Sequence, residues 1–337
     1  MPLRFYCRGG YAKPERIQTK NFIYNNKLQK EKKMRTLKEE LGHIVVPMVT
    51  PFDEISGEVN LKEAANLANF IVENKYCDSI AVTGTTGEFN TMSVEERIAM
   101  YEVVYDTVSG RVPLVAGVGA ASVRDVIKLS QRAEKIGYKV VMVVAPYYCK
   151  PSSEGIYQFF AAVAKNVSID IMLYNIPLFT GVNIEPELVS RLVNDFSNIK
   201  GVKDEAGINP TQMTQYALAT PEDFTVYNGD DIMVLCGLVQ GAAGVISGVS
   251  HLMGDKVRDM INFFLNGENE NALKIHNELD PFLRALVPNG RINPNPVLKA
   301  ALDIAGHRVG PPRLPLNAAT PEERENIKKH LVQMGVI

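Results

Sequence analysis

From Ile44 onward the chain alternates two patterns. Short runs of nearly unbroken apolar, mostly β-branched residues give way to longer stretches in which apolar residues recur every three or four positions. Eight such runs follow one another: Ile44–Phe52, Ser79–Gly84, Val112–Gly119, Val140–Pro146, Asp170–Pro177, Ile199–Asp204, Phe224–Asp230 and Ala242–Gly248. A run with no polar face is what a parallel strand needs when both of its faces are covered. Between the runs lie helical patterns such as Leu61–Lys75, Ser93–Val108, Val123–Ile136 and Glu185–Phe196. Ser93 with Glu96 fits a capping box, and Pro186 suits a first helical turn.

Eight strands alternating with helices predict an α/β protein, a closed (β/α)8 TIM barrel. An open doubly wound sheet would call for a Gly-x-Gly-x-x-Gly turn after the first strand. Thr50-Pro51-Phe52-Asp53 cannot serve there, and Gly117-Val118-Gly119, after the third run, lacks the third glycine. The last 70 or so residues carry helical patterns near Glu270–Leu286, Val297–Ile304 and Pro321–Met334, separated by proline-rich linkers. The expected organisation is a basic extension over residues 1–40, a catalytic barrel over 41–266 and a C-terminal helical region over 267–337.

Composition narrows the class. In 337 residues, 46% are apolar and 22% charged, as in an ordinary globular protein. No run approaches the ~18 apolar residues of a membrane span. The net charge of −2 hides an asymmetry: residues 1–33 carry nine Lys or Arg against Glu15 and Glu31, leaving the remainder acidic. That leader has no apolar core, so it is no secretory signal, and it contains no serine, which weakens a transit-peptide reading. The rest of the chain has no basic excess of the kind a nucleic-acid binder shows. Cys7, Cys77, Cys149 and Cys236 form no CxxC pair, and read as reduced thiols of a cytoplasmic protein.

In this fold the active site sits at the C-terminal ends of the strands, which selects the candidates. Lys203 closes the sixth run in Gly201-Val202-Lys203-Asp204 and shares a strand face with Gly201. If that face points inward, desolvation disfavours the ammonium, and a neutral amine attacks a ketone to form a Schiff base. The competing reading is a rim lysine paired to Asp204 or Glu205, and alternation alone does not choose. Gly84-Thr85-Thr86-Gly87 offers a tight turn suited to a carboxylate, or is an ordinary βα loop. Tyr174 stands at the end of the fifth run, as a proton carrier or as packing. Asp230-Asp231 has no histidine at a neighbouring strand end, so no metal site is expected.

Together these residues resemble the dihydrodipicolinate synthase / N-acetylneuraminate lyase family of Schiff-base aldolases. The resemblance covers residues 42–335. It rests on Gly84-Thr85-Thr86-Gly87-Glu88, Pro146-Tyr147-Tyr148, Tyr174-Asn175-Ile176-Pro177, Gly201-Val202-Lys203, Asn228-Gly229-Asp230-Asp231 and Gly244-Val245-Ile246-Ser247, in family order. It implies that Lys203 forms the Schiff base with pyruvate or another 2-oxo acid and that Tyr174 shuttles protons. Thr85 would link Tyr174 to Tyr148, which reaches in from a neighbouring subunit of a homotetramer. Thr86, Gly87, Ile246 and Gly229 would bind substrate, and no metal or organic cofactor is implied.

Asn295-Pro296 and Arg313-Leu314-Pro315 resemble the synthase branch, where pyruvate condenses with aspartate semialdehyde on the way to lysine. One position departs from it. Phe179 stands where that branch carries an arginine for the semialdehyde carboxylate, and a phenyl ring cannot make that bidentate contact. This leaves open an aldolase of 2-keto-3-deoxy sugar acids and, more remotely, a non-catalytic 2-oxo acid sensor. Val94, Arg97 and Ala121 also depart from the family's lysine-binding pocket, which implies weak inhibition by lysine.

Overall fold

The computed structural model describes residues 35–337 apart from 206, 208, 210 and 291. The basic leader lies outside the described residues. The eight apolar runs all become strands: β1 Ile44–Pro47, β2 Ser79–Val82, β3 Leu114–Gly117, β4 Val140–Val144, β5 Asp170–Asn175, β6 Ile199–Asp204, β7 Thr225–Asn228 and β8 Val245–Ile246. Each pairs in parallel with the next, and β8 returns to β1 through Ile44 and Val245, closing the barrel.

The ladders are shorter than the apolar runs, and packing explains why. The first run continues to Phe52, but pairing stops at Pro47. Met48, Val49 and Phe52 leave the ladder and stay buried as loop, with the Phe52 amide donating to the Val309 carbonyl at 3.0 Å. Loops at this end are roofed by the C-terminal helices, so they keep the composition of strands.

Two apolar layers account for strands without a polar face. Residues pointing outward, such as Val46, Ile80, Val82 and Ala116, pack with Leu67, Met100 and Leu129 of the surrounding helices. Residues pointing inward, such as Val45, Ala81, Val115, Met142 and Met172, fill the barrel. A five-residue helix, Leu37–Leu41, caps the lower end and is held by a Thr36–Glu39 capping box. Leu37 and Leu41 are fully buried in the inner layer, and the Tyr227 hydroxyl donates to the Gly42 carbonyl at 2.7 Å. Residues 36–40, read with the extension, therefore belong to the packed unit, which runs from Thr36 to Ile337.

Three helices follow the barrel, Asn269–Ala285, Asn295–Ile304 and Pro321–Gln333. The second of them carries Lys299, whose ammonium is buried and meets Glu88 at 3.0 Å. The ammonium also donates to the carbonyls of Thr50 and Pro311, and the second Glu88 oxygen accepts the Arg313 amide at 2.9 Å. Burial lowers the Lys299 amine to about 8, against the opposing pull of Glu88. Glu88 ends the loop that follows β2 and sits in the left-handed backbone region, at φ 56°. Strain of this kind persists only where the surroundings over-determine it, and here the buried ion pair does so.

Removing one partner of such a pair leaves the other charge buried alone, at a cost of about 3–5 kcal/mol. Lys299→Met should lower the unfolding free energy by about that amount in urea titrations followed by far-ultraviolet circular dichroism. Adding Glu88→Gln should recover most of it. A Lys299→Met protein as stable as the parent would mean that the pair does not clamp the loop.

Candidate active site

Strand alternation places the central groups. Gly201 and Lys203 of β6 point into the barrel, while Asp204 points outward to the amides of Asn175 and Gln212 at 2.9 and 3.2 Å. Burial raises the Asp204 carboxyl to about 6. Tyr174 is the direct neighbour of Lys203 in the β5–β6 register. Both side chains are at least 95% buried, and the Lys203 Nζ lies 4.0 Å from the centre of the Tyr174 ring.

One carboxylate oxygen organises these groups. Glu205 Oε2 stands 3.1 Å from Lys203 Nζ and accepts the Tyr174 hydroxyl at 2.7 Å. Thr85 Oγ1 donates in turn to the Tyr174 oxygen at 3.4 Å. The order of donors is Thr85, Tyr174, Glu205. Burial, and then the charge of Glu205, raise the Tyr174 phenol well above its ordinary value. At neutral pH it is a proton donor.

These groups open into a cavity of about 420 Å³ at the C-terminal mouth of the barrel. Thr85, Thr86, Gly229 and Ile246 line it with Tyr174 and Lys203. Gly87 does not line it. A Cβ there would stand 2.8 Å from the Thr83 Cα, so Gly87 shapes the turn from behind. Phe179 and Leu178, from the short helix Pro177–Thr180, form part of the outer wall. Glu205, Asp230 and Asp231 give that wall an acidic side. Tyr148 is not brought to this chain's own Lys203: its side chain is 96% exposed, on a residue with φ 71°. Arg97 is buried, donating to the Gly117 and Gly119 carbonyls at 2.6 and 2.7 Å.

Two contributors escaped the sequence reading as site residues. Glu205 lies two positions beyond Lys203, so alternation puts it on the same face, where it had been read only as a rim partner. Asn295 lies in the C-terminal helical region; its buried amide donates to the Thr85 carbonyl at 3.1 Å and pins the turn after β2. No sequence pattern announces a contact spanning 210 residues.

The model of the dihydrodipicolinate synthetase family matches residues 40–334. The 4-hydroxy-tetrahydrodipicolinate synthase of Desulforudis audaxviator is 43% identical over 289 residues, which is 86% of this chain and 96% of that protein. The synthase of Bacillus subtilis is 41% identical over 293 residues, 87% of this chain and 99% of that one. Among solved structures, the Cyanidioschyzon merolae enzyme with lysine bound superposes with a TM-score of 0.83 at 34% identity, over 88% of this chain and 99% of that chain. The chloride-inhibited dihydrodipicolinate synthase of Acinetobacter baumannii, complexed with pyruvate, gives 0.81 at 30% identity, over 88% and 100%.

Gly229 tests the geometry. A Cβ at this position would stand 2.6 Å from the Lys203 Cε and 3.0 Å from the Glu205 Cβ. Gly229→Ala should displace the amine, and a shift of about 1 Å costs on the order of 100-fold in rate. The expected result is a turnover loss of that size with an unchanged circular dichroism spectrum. Wild-type turnover in this variant would remove Lys203 from the chemistry.

Proposed function

Because the chain belongs to the dihydrodipicolinate synthetase family, we propose that it catalyses the reaction its relatives are named for, 4-hydroxy-tetrahydrodipicolinate synthesis from pyruvate and aspartate semialdehyde. The enzyme is a lyase of the Schiff-base aldolase type. The observation that carries the reading is Lys203 buried in the mouth of the barrel, with Tyr174 and Thr85 hydrogen-bonded beside it.

The geometry supports an ordered course. Pyruvate enters with its carboxylate toward Thr85 and Thr86, leaving C2 over the Lys203 amine. The amine adds to C2, and the oxygen leaves as water on the two protons that the Lys203 ammonium gives up, passed on by the Tyr174 hydroxyl, so that the phenol is intact again when the iminium has formed. The product is an iminium ion, which is the electron sink that makes C3 acidic. Loss of a C3 proton gives an enamine that attacks the aldehyde carbon, and Tyr174 protonates the new alkoxide. The amine of the semialdehyde then adds to C2 and passes a proton to the Lys203 nitrogen, whose bond to C2 breaks, freeing Lys203 as the product ring closes.

The exposed Tyr148 belongs, in this reading, to the site of a neighbouring subunit, in a homotetramer located in the cytoplasm. Among the described residues no helix is long and apolar enough to cross a membrane. Phe179 and the acidic side of the cavity favour a second reading, an aldolase for 2-keto-3-deoxy sugar acids with the same imine chemistry.

An aldehyde panel separates the two. The synthase reading predicts consumption of pyruvate with aspartate semialdehyde and no cleavage of 2-keto-3-deoxygluconate; the reverse result would replace it. Phe179→Arg should lower the KM for aspartate semialdehyde about tenfold, the effect of roughly one charge-assisted contact. The KM for pyruvate should not change.

A further inference from the structure

We infer that Glu205 is the base that takes the C3 proton from the pyruvate imine on Lys203. The inference rests on the Schiff-base reading above and assigns the step that reading leaves without an acceptor.

Three observations carry it. The first is position. Glu205 Oε2 lies 3.1 Å from Lys203 Nζ, the atom that becomes the imine nitrogen. C3 of the bound substrate is two bonds from that nitrogen, within the reach of an oxygen already touching it. The Glu205 backbone is fixed by its own amide, which donates to the Asn175 carbonyl at 2.9 Å. The absence of a side chain at Gly229 leaves room for its carboxylate. The side chain keeps 28% exposure, so it faces the open cavity rather than solid protein.

The second is the state of the other candidates. Tyr174 donates its hydroxyl proton to Glu205 and is held protonated, so it cannot begin as the base. Asp230 and Asp231 line the same cavity but are engaged with backbone amides. Asp230 accepts from Ile232 at 3.2 Å and Asp231 from Val249 at 2.9 Å. The third is connectivity. The donor order Thr85, Tyr174, Glu205 ends on Glu205, so a proton placed there can return through the phenol.

The step balances. The C3–H bond breaks and its proton forms an O–H bond on Glu205. The C–H electron pair becomes the C2=C3 double bond, and the C2=N π pair returns to the Lys203 nitrogen. When C3 bonds to the aldehyde carbon, the imine is restored. The new alkoxide takes the Tyr174 proton, and the phenol recovers one from Glu205, which ends as a carboxylate.

Pyruvate alone suffices for a test, since exchange of its methyl hydrogens in D2O reports C3 deprotonation without any aldehyde. In the full-length protein, Glu205→Gln should still be fixed covalently to pyruvate by borohydride, within a few-fold of the wild-type rate. Its methyl exchange, followed by proton NMR, should fall on the order of 100-fold, the contribution of a general base. Glu205→Asp should recover part of it. Exchange in Glu205→Gln within threefold of wild type overturns the assignment. Parallel loss of trapping and exchange also overturns it, by making Glu205 a group that only positions the amine. Failure of the wild-type protein to be trapped would instead overturn the Schiff-base reading itself.

Discussion

A primary amine inside an apolar barrel needs a partner that balances its charge without blocking its nitrogen. In this protein the partner is one oxygen of Glu205, shared between Lys203 and the Tyr174 hydroxyl. The arrangement brings an amine, a phenol and a carboxylate together at one point. It also explains several otherwise unconnected features. Gly229 is small because Lys203 and Glu205 occupy the space a side chain would fill. β5 and β6 pair in the register that puts Tyr174 beside Lys203. The opposite alternation sends Asp204 outward, into a separate network with Asn175 and Gln212.

The C-terminal helices are part of the same construction. Asn295 holds the Thr85 carbonyl, and Lys299 reaches into the barrel to meet Glu88 at the end of the same loop. Arg313 adds its amide to Glu88 and its guanidinium to Glu96. The turn after β2 carries left-handed backbone at Thr83 and Glu88, conformations that are uncommon for residues with a side chain and worst for a β-branched one. Its shape is therefore imposed by distant contacts rather than chosen by local preference.

Much of this was legible in the sequence for a stated physical reason. Strands covered on both faces leave unbroken apolar runs, and eight of them in sequence describe a closed barrel. Alternation within the sixth run put Lys203 on the face of Gly201 without choosing between interior and rim; the family resemblance made that choice. What was not legible depends on long separations or on shared faces at strand ends. Glu88 and Lys299 are 211 positions apart and each looks like an ordinary surface charge in sequence. Glu205 was visible as a neighbour of Lys203, yet only the register of β5 against β6 reveals that Tyr174 binds the same oxygen. Gly87 was read as a substrate contact because it belongs to the turn, whereas its work is to let Thr83 pass behind. The apolar runs overstated the strands because the loops at the mouth are themselves roofed.

In the proposed function the acidic side of the cavity and the phenyl ring of Phe179 would bear on the aldehyde, whereas Lys203 would bear on the reaction itself. The most direct test of the account is therefore the fate of that one amine. Borohydride reduction in the presence of pyruvate, followed by digestion and mass spectrometry of the peptides, should give one pyruvate-derived adduct, on Lys203 and on no other lysine. Protein left unmodified, or modified on a different lysine, would contradict the account at its centre.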